Sequence, residues 1–241
     1  GDPDFFDVPV SALTSKAYSR KRMHTYDRER ATPSAVIKEG MLAGNESPET
    51  THLSVVDTKG NAVAVTTTLN DSYGSAVVVA GSGFFLNDEM DDFSIKPGEP
   101  NMYGVIGGEA NKIAPGKRML SSMTPTIVER NGKLFMVVGT PGGSTIITSV
   151  FQTILNVVEF DMNMQEAVSA KRIHSQWLPD VISPERGAVT DKDSMALVAK
   201  GHQFSDGYWY GLGRVDAILV LPDGRLEGGA DPRGDDAAVG F

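Results

Sequence analysis

Cysteine is absent from the 241 residues of this chain, which excludes disulfides, thiolate metal sites and cysteine nucleophiles together. Apolar runs are short, and none approaches the ~18 residues that predict a membrane-spanning helix. The four histidines show no spacing typical of a zinc site. The net charge of −9 is opposite to the basic stripe that nucleic acid requires. We therefore expect no thiolate or zinc site, no nucleic-acid partner and no membrane span in this chain.

The remaining composition is typical of a globular protein. Hydrophobic residues make up 40% of the chain and charged residues 22%, and this length suits one large domain or two small ones. Residues 1–49 differ from the rest, because a charged, helix-like stretch over 16–30 is followed by a turn-rich segment over 32–49. That segment is either a simple surface linker or an exposed processing site, and its composition does not choose between them.

After residue 50 the pattern predicts strands, then helices, then strands. Turn signals indicate hairpins around Lys59-Gly60-Asn61, Asn131-Gly132 and Pro222-Asp223-Gly224. The predicted strands span 52–58, 62–69, 126–130, 134–139, 217–221 and 225–227, and the predicted helices span 144–158, 164–170 and 192–200. In the longest helix Ser144 is the expected N-cap, and four apolar residues share one face: Ile147, Phe151, Ile154 and Val158. The order lacks the strand–helix alternation of a parallel sheet, so the expected fold class is α+β.

Thr50 lies where a hydroxyl nucleophile could be created by cleavage. It opens the run Thr50-Thr51-His52-Leu53-Ser54-Val55-Val56-Asp57, which is typical of a strand. Inside a chain the hydroxyl has no base beside it, but at a free N-terminus its own α-amino group, with a pKa of about 7.7–8.0, can take the proton. Cleavage between Glu49 and Thr50 would therefore produce nucleophile and base together. Threonines in an ordinary strand are the alternative interpretation.

Gly142 and Gly143 stand between a predicted strand and the longest predicted helix. Backbone N–H groups at such a position have no intrahelical acceptor and can stabilise an oxyanion. The same glycines could simply make the turn, and the local pattern leaves both interpretations open.

Two polar clusters complete the candidate chemistry. The run Asp88-Glu89-Met90-Asp91-Asp92 suggests a metal site, recognition of an ammonium group or a solvated acidic turn, and its spacing does not fit a calcium loop. Ser121-Ser122 follows the basic pair Lys117-Arg118 and, by itself, indicates no more than a loop.

Five ordered blocks resemble the small catalytic subunit of the γ-glutamyltranspeptidase family: Thr50–Asp57, Leu86-Asn87-Asp88-Glu89-Met90-Asp91-Asp92-Phe93, Pro115-Gly116-Lys117-Arg118-Met119-Leu120-Ser121-Ser122-Met123-Thr124-Pro125-Thr126, Gly139-Thr140-Pro141-Gly142-Gly143-Ser144 and Asp231-Pro232-Arg233. The resemblance implies an αββα four-layer sandwich of the N-terminal-nucleophile hydrolase type. It also implies that residues 1–49 are the tail of the large subunit and that 50–241 form the small catalytic subunit. Most of the large subunit, including an arginine that helps to bind the substrate α-carboxylate, would lie upstream of Gly1.

The same resemblance implies roles for individual residues. They are Thr50 as nucleophile, released by cleavage after Glu49; Thr68 as its hydroxyl partner; Gly142 and Gly143 as the oxyanion hole; Asn70, Glu89 and Asp92 as ligands of the donor α-amino group; Ser121 and Ser122 as ligands of its α-carboxylate; and Tyr103 as part of a lid.

The implied activity is a self-cleaving γ-glutamyltransferase or hydrolase without metal or organic cofactor. Its donor would be glutathione or a related γ-glutamyl compound, its partner the large subunit of the same precursor, and its location periplasmic or secreted. Two alternatives stay open. One is a related enzyme with another substrate, such as a cephalosporin acylase or a poly-γ-glutamate depolymerase, and the other is an uncleaved, non-catalytic chain.

Overall fold

A computed structural model describes residues 2–37, 50–99 and 107–241. The α-helices are α1 (Val10–Leu13), α2 (Lys16–Arg22), α3 (Ser34–Ile37), α4 (Ile146–Val158), α5 (Met164–Ser169) and α6 (Asp191–Ala199). The strands are β1 (Thr50–Val56), β2 (Ala62–Thr68), β3 (Thr126–Arg130), β4 (Lys133–Gly139), β5 (Ile173–His174), β6 (Ser183–Pro184), β7 (Asp216–Val220) and β8 (Leu226–Gly229). Single 3₁₀ turns occur at Met23–Thr25, Glu89–Asp92, Glu109–Asn111 and Gly143–Thr145.

All three predicted hairpins are present. β1 pairs antiparallel with β2, in a register that brings Thr50 opposite Thr68. The turn between them is held by Asp57, whose carboxylate accepts the backbone N–H groups of Lys59 and Asn61, both at 2.8 Å. The other two hairpins join into one antiparallel sheet with the strand order β3-β4-β7-β8.

The two sheets face each other across a narrow layer. Residues that alternate along β1 point either toward the second sheet, as buried His52 does, or away from it, as Leu53 does. A Cβ atom on Gly139 of β4 would overlap the imidazole of His52, so glycine is needed there for the sheets to approach this closely. The outward face of the β1–β2 sheet is apolar and exposed, and it carries Leu53, Val55, Val63 and Val65.

The main hydrophobic core lies between the four-stranded sheet and helices α4 and α5. Met136 and Val138 of β4, Val150 of α4 and Met164 and Val168 of α5 are all buried in this cluster. Asn163 begins α5 with a capping box, in which its side chain accepts the N–H of Glu166 and the Glu166 carboxylate accepts the N–H of Asn163. One layer of helices therefore covers the sheet that carries β4.

The apolar face predicted for α4 coincides only in part with the face that lies against the core, because Ile154 packs there but Ile147 and Phe151 do not. Ile147 and Phe151 are 63% and 60% exposed, whereas Ile146, Val150 and Val157 face the core. The helix is apolar around most of its circumference, so periodicity alone could not select the face. The small buried side chains Ser149 and Thr153 allow the helix to pack closely on its neighbours: Ser149 donates to the carbonyl of Leu212, and Thr153 donates to the carbonyl of Ser149.

The predicted N-cap of α4 is wrong. Ser144 lies within the 3₁₀ turn Gly143–Thr145, and the helix begins after Thr145 without a side-chain cap. The Thr145 hydroxyl instead donates to the carbonyl of Gly142 at 2.7 Å, which tightens the turn before the helix. In the N-terminal segment the expected helix over 16–30 ends early, because α2 stops at Arg22. Within the described ranges, no helix is long and apolar enough to cross a membrane.

Candidate active site

Thr50 and Thr68 form a hydroxyl pair at the ends of β1 and β2. Thr50 is buried, and its hydroxyl donates to the hydroxyl oxygen of Thr68 at 3.1 Å. Thr68 Oγ1 also accepts the backbone N–H of Asn70 at 2.9 Å. The pairing is a consequence of the hairpin register, since directly opposed residues on one face of an antiparallel pair bring their side chains together.

Asn70 connects this hydroxyl pair to the acidic turn. It has a positive φ of 75°, which ends β2 and turns the chain toward residues 88–92. Its side-chain amide donates to the carbonyl of Asp88 at 3.4 Å, while the Asp88 carboxylate accepts the N–H of Asp71 at 3.0 Å. The acidic turn is thereby held beside the end of the strand that carries Thr68.

The acidic turn carries two carboxyl groups in an electrostatically unfavourable environment. Glu89 is buried, and its Oε1 atom has no hydrogen-bond partner among the described residues. Burial raises the pKa of Glu89 to about 7, and the neighbouring charges of Asp92 and Asp88 add to the shift. Burial also raises the pKa of Asp92 to about 6, against a lowering hydrogen bond from Ser122. A bound cation would satisfy both carboxylates and restore their charge.

The serine loop, defined as residues 115–123, approaches the acidic turn from the other side. The hydroxyl of Ser122 donates to Asp92 Oδ2 at 3.4 Å. Ser121 is exposed, and its Oγ atom accepts the N–H of Met123 at 3.2 Å. Asn111 bridges the two segments, because its side chain donates to the carbonyl of Asp92 at 2.6 Å and accepts the N–H of Leu120 at 2.9 Å.

Gly142 and Gly143 form the turn between β4 and α4. Their φ angles are +135° and +56°, values that L side chains rarely adopt. The hydrogen bonds of the described residues include none from the backbone N–H groups of these two glycines to a protein acceptor. These donors at the start of a helix are thus free to bind an oxyanion.

A buried ionic cluster supports this turn from behind. Arg172 and Asp231 pair at 2.7 Å with side chains 1% and 0% exposed, and Glu185 pairs with Arg233 beside them. Glu185 also accepts the N–H of Leu212 at 2.9 Å, and Asp231 accepts the N–H of Val215 at 2.8 Å.

The segment between those two anchors touches the glycine turn directly. The N–H of Arg214 donates to the hydroxyl of Thr140 at 2.7 Å, and a Cβ atom on Gly142 would lie 3.0 Å from the Cα of Gly213. The Asp231-Pro232-Arg233 block therefore supports the glycine turn indirectly. Asp231 accepts the N–H of Val215, and Gly213 in the same segment packs against Gly142.

His52 links the strand of Thr50 to the sheet that ends in the glycine turn. Its ring nitrogens contact the hydroxyls of Thr66 at 2.8 Å and Ser54 at 3.0 Å, and Ser54 donates to the carbonyl of Asp216 at 3.1 Å. Burial lowers the pKa of His52 to about 4, so the ring is neutral at physiological pH.

The structure thus brings together two sets of predicted residues: Thr50, Thr68 and Asn70 with the acidic turn, and Asp92 with Ser122. Glu49 and Tyr103 lie outside the described residues. No group of three or more His, Asp or Glu side chains within the described part of the chain could hold a metal ion.

Comparison with known proteins identifies the family. The family model described as gamma-glutamyltranspeptidase matches residues 1–241. The chain belongs to the γ-glutamyltranspeptidase family. The glutathione hydrolase proenzyme of Escherichia coli is 49% identical over 242 residues, covering 100% of this chain and 41% of its own length. The chain therefore spans less than half the length of this relative.

Solved structures show the same fold. A T380A mutant of Helicobacter pylori γ-glutamyltranspeptidase has a TM-score of 0.72 and 53% identity, covering 76% of this chain and 100% of its own. The α+β class and the N-terminal-nucleophile hydrolase fold are thereby confirmed. A more distant relative, the acylase ACY 1 proenzyme of a Pseudomonas species, is 34% identical over 238 residues, covering 99% of this chain and 39% of its own length.

Sequence reasoning missed several residues that shape the site. Asn111 and Arg172 have no part in the predictions, and Asp88 and Asp231 appear there only as members of a longer run, because all four act through contacts between distant segments. His52 is predicted only as a strand residue, although its position two residues after Thr50 places it on the same inward face. That shared face was the one local signal for its role.

Proposed function

We propose that this chain carries the catalytic site of a self-cleaving γ-glutamyltransferase or hydrolase, with Thr50 as its N-terminal nucleophile. The observation that carries the proposal is the buried, partly unpartnered carboxyl pair of Glu89 and Asp92, tied through Asn70 to the Thr50–Thr68 hydroxyl pair. A cation would satisfy such a pair in its ionised form, and the α-ammonium of a γ-glutamyl donor would supply one close to the nucleophile. The name of the Escherichia coli relative, a glutathione hydrolase proenzyme, supports both the donor and the maturation step.

Maturation begins with attack of Thr50 Oγ1 on the carbonyl carbon of Glu49. The peptide C–N bond breaks as the acyl group moves from nitrogen to oxygen, and the proton lost by the hydroxyl passes to the new amine. Water then hydrolyses the ester, which frees the Glu49 carboxylate and the Thr50 hydroxyl. Thr68 Oγ1, at 3.1 Å, orients the Thr50 hydroxyl for this attack.

Turnover uses the amine that maturation creates. The α-amino group of Thr50 takes the hydroxyl proton, the oxygen attacks the γ-carbonyl of the donor, and the N–H groups of Gly142 and Gly143 stabilise the oxyanion. The leaving amine departs with the proton, leaving a γ-glutamyl ester on Thr50. Water or the amino group of an amino acid or peptide then attacks this ester and restores the free hydroxyl.

Recognition of the donor follows from the two polar clusters. Glu89, Asp92 and Asn70 bind the α-ammonium group, and the hydroxyls of Ser121 and Ser122 donate to the α-carboxylate. These roles require a γ-linked glutamyl group and therefore favour glutathione and related compounds over the substrates of acylases. Tyr103 is proposed to close the site as part of a lid.

The upstream part of the precursor is the proposed partner of this chain. Residues 1–49 would be the tail of the large subunit, and 50–241 the small catalytic subunit. The apolar outer face of the β1–β2 sheet, with Leu53 58% exposed, supports burial against a further layer. Without that part, the arginine expected to help bind the α-carboxylate is missing, so full activity requires the complete precursor. A periplasmic or secreted location completes the proposal.

The decisive variant is Thr50→Ala in the full-length precursor, compared with Thr51→Ala as the matched control. We expect the first variant to remain uncut and inactive toward a chromogenic γ-glutamyl anilide, and the control to be cleaved and active. Full turnover by Thr50→Ala would refute the proposal. Comparison of the same enzyme on glutaryl and γ-glutamyl anilides, which differ only in the α-amino group, tests the acylase alternative, because an acylase would prefer the glutaryl group.

A further inference from the structure

Asp2 makes an unusually complete set of contacts for a residue in the N-terminal segment. Its side chain is 1% exposed, although it lies on a segment whose next five residues are exposed. One carboxylate oxygen accepts the backbone N–H of Arg118 at 2.8 Å and its Nε at 3.1 Å, and the other accepts Arg118 Nη2 at 2.6 Å. The N–H of Asp4 donates to the same carboxylate at 3.1 Å.

These contacts fix the backbone of Arg118 as well as its side chain. A two-pronged carboxylate–guanidinium pair restricts the orientation of both groups, and the additional bond to the backbone N–H of Arg118 holds the main chain of the serine loop directly. The hydrogen bonds from Arg118 also hold the pKa of Asp2 well below its usual range, so the carboxylate stays charged under all physiological conditions.

Arg118 lies three residues before Ser121 and four before Ser122. After Arg118, the next anchor of the loop is the N–H of Leu120, which donates to Asn111. Asn111 in turn donates to the carbonyl of Asp92, the residue that Ser122 contacts. The serine loop is thus attached to the N-terminal segment at one end and to the acidic turn at the other.

We propose that Asp2 is a positioning residue that holds the serine loop in the geometry needed to bind the α-carboxylate of the donor. The inference rests on the proposed function, in which Ser121 and Ser122 contact that carboxylate. Cleavage before Thr50 would leave Asp2 and the serine loop on separate polypeptides, so one subunit would set the donor affinity of the other. A purely structural role would instead stabilise the fold without a selective effect on donor binding.

The test is Asp2→Asn in the full-length precursor, with Asp7→Asn as a control that removes the same charge from an exposed position of the same segment. We expect Asp2→Asn to raise KM for L-γ-glutamyl-4-nitroanilide about tenfold while kcat changes less than about twofold, because loosened positioning weakens binding before it affects the nucleophile. Release of the Thr50 amine, followed by mass, is expected to stay normal. The control is expected to match the wild type in all three readouts.

A second variant keeps the inference testable if Asp2→Asn fails to fold. Arg118→Lys keeps the charge but cannot form the two-pronged pair, and it is expected to raise KM in the same way. The Ser122→Ala variant then separates positioning from general stability. Asp2→Asn is expected to add little to the KM of Ser122→Ala if it acts through that hydroxyl.

Two results would overturn the inference. One is a KM for Asp2→Asn within about twofold of the wild-type value, since the misplacement of a binding group has a larger effect. The other is a fully additive effect of Asp2→Asn and Ser122→Ala. Failure of the proposed function would be recognised separately, because the wild-type precursor would then neither release Thr50 nor hydrolyse the donor.

Discussion

The affinity for the donor ammonium group is expected to depend on pH through Glu89 and Asp92. Their pKa values in the empty site, about 7 and about 6, lie above the ordinary carboxyl range because of burial first and the charges of neighbouring aspartates second. Only the ionised carboxylates bind an ammonium group well, so binding must displace protons at low pH. A raised pKa in the free site therefore predicts weaker binding as the pH falls through 7 and then 6.

The magnitude follows from the ionised fractions. Between about pH 8 and about pH 6, the ionised fraction of Glu89 falls from about 90% to about 10%, and that of Asp92 falls from nearly complete to about one half. If both charges are required, the dissociation constant is expected to rise about twentyfold over this range. The donor α-amino group can only gain protons as the pH falls, which would strengthen binding, so a weakening belongs to the protein.

The assay is the inhibition constant of a non-cleavable analogue of the γ-glutamyl anilide, in which a CH₂ group replaces the γ-carbonyl and leaves no electrophile for Thr50 to attack. An inhibition constant avoids the titration of the Thr50 amine, which would affect kcat. The same analogue without its α-amino group serves as the ligand control and should show no such rise. Glu89→Gln is expected to lose the step near pH 7 and keep the one near pH 6. A flat wild-type profile, or an unchanged profile in Glu89→Gln, would refute the reasoning.

Three further substitutions test the hydroxyl pair, the glycine turn and the ionic cluster. Thr68→Val removes the acceptor of the Thr50 hydroxyl and is expected to slow release of the new N-terminus about tenfold in a time course of cleavage, whereas an unchanged rate would contradict the orienting role. Gly142→Ala would bring a Cβ atom within 2.7 Å of the hydroxyl of Thr145 at a φ of +135°, and it is expected to lower kcat about 100-fold by displacing an oxyanion donor. Activity near the wild-type level would exclude that donor. Arg172→Met leaves the buried carboxylate of Asp231 with one charged partner fewer and is expected to lower the free energy of unfolding by about 3 kcal/mol in urea denaturation, while a loss below about 1 kcal/mol would show that the cluster is not needed for stability.

Local sequence patterns predicted those parts of the fold that local chemistry determines. Asn131-Gly132 indicated a tight turn, and β3 and β4 meet there. The first hairpin is present, but its first strand begins at Thr50, two residues before the predicted strand over 52–58, and this register brings Thr50 opposite Thr68. The sandwich type came from family resemblance, because strand order across sheets depends on long-range contacts that no local pattern contains.

The errors and omissions arose where tertiary contacts decide between equivalent local choices. Ile147 and Val150 of α4 are both apolar, and only packing against the sheet decides which of them faces the hydrophobic core. The acidic run around Glu89 could have been a solvated turn, and burial of that carboxyl is what distinguishes it. The contact between Asp2 and Arg118 joins residues 116 positions apart, so no spacing rule could have found it.

The most direct test of Thr50 as an N-terminal nucleophile is peptide mass analysis. The full-length precursor is allowed to mature, is mixed with a γ-glutamyl donor and is then quenched in acid. The account predicts a peptide that begins at Thr50 and carries one γ-glutamyl group on that residue. A peptide in which Glu49 is still joined to Thr50 in active enzyme, or a γ-glutamyl group on another residue, would contradict it.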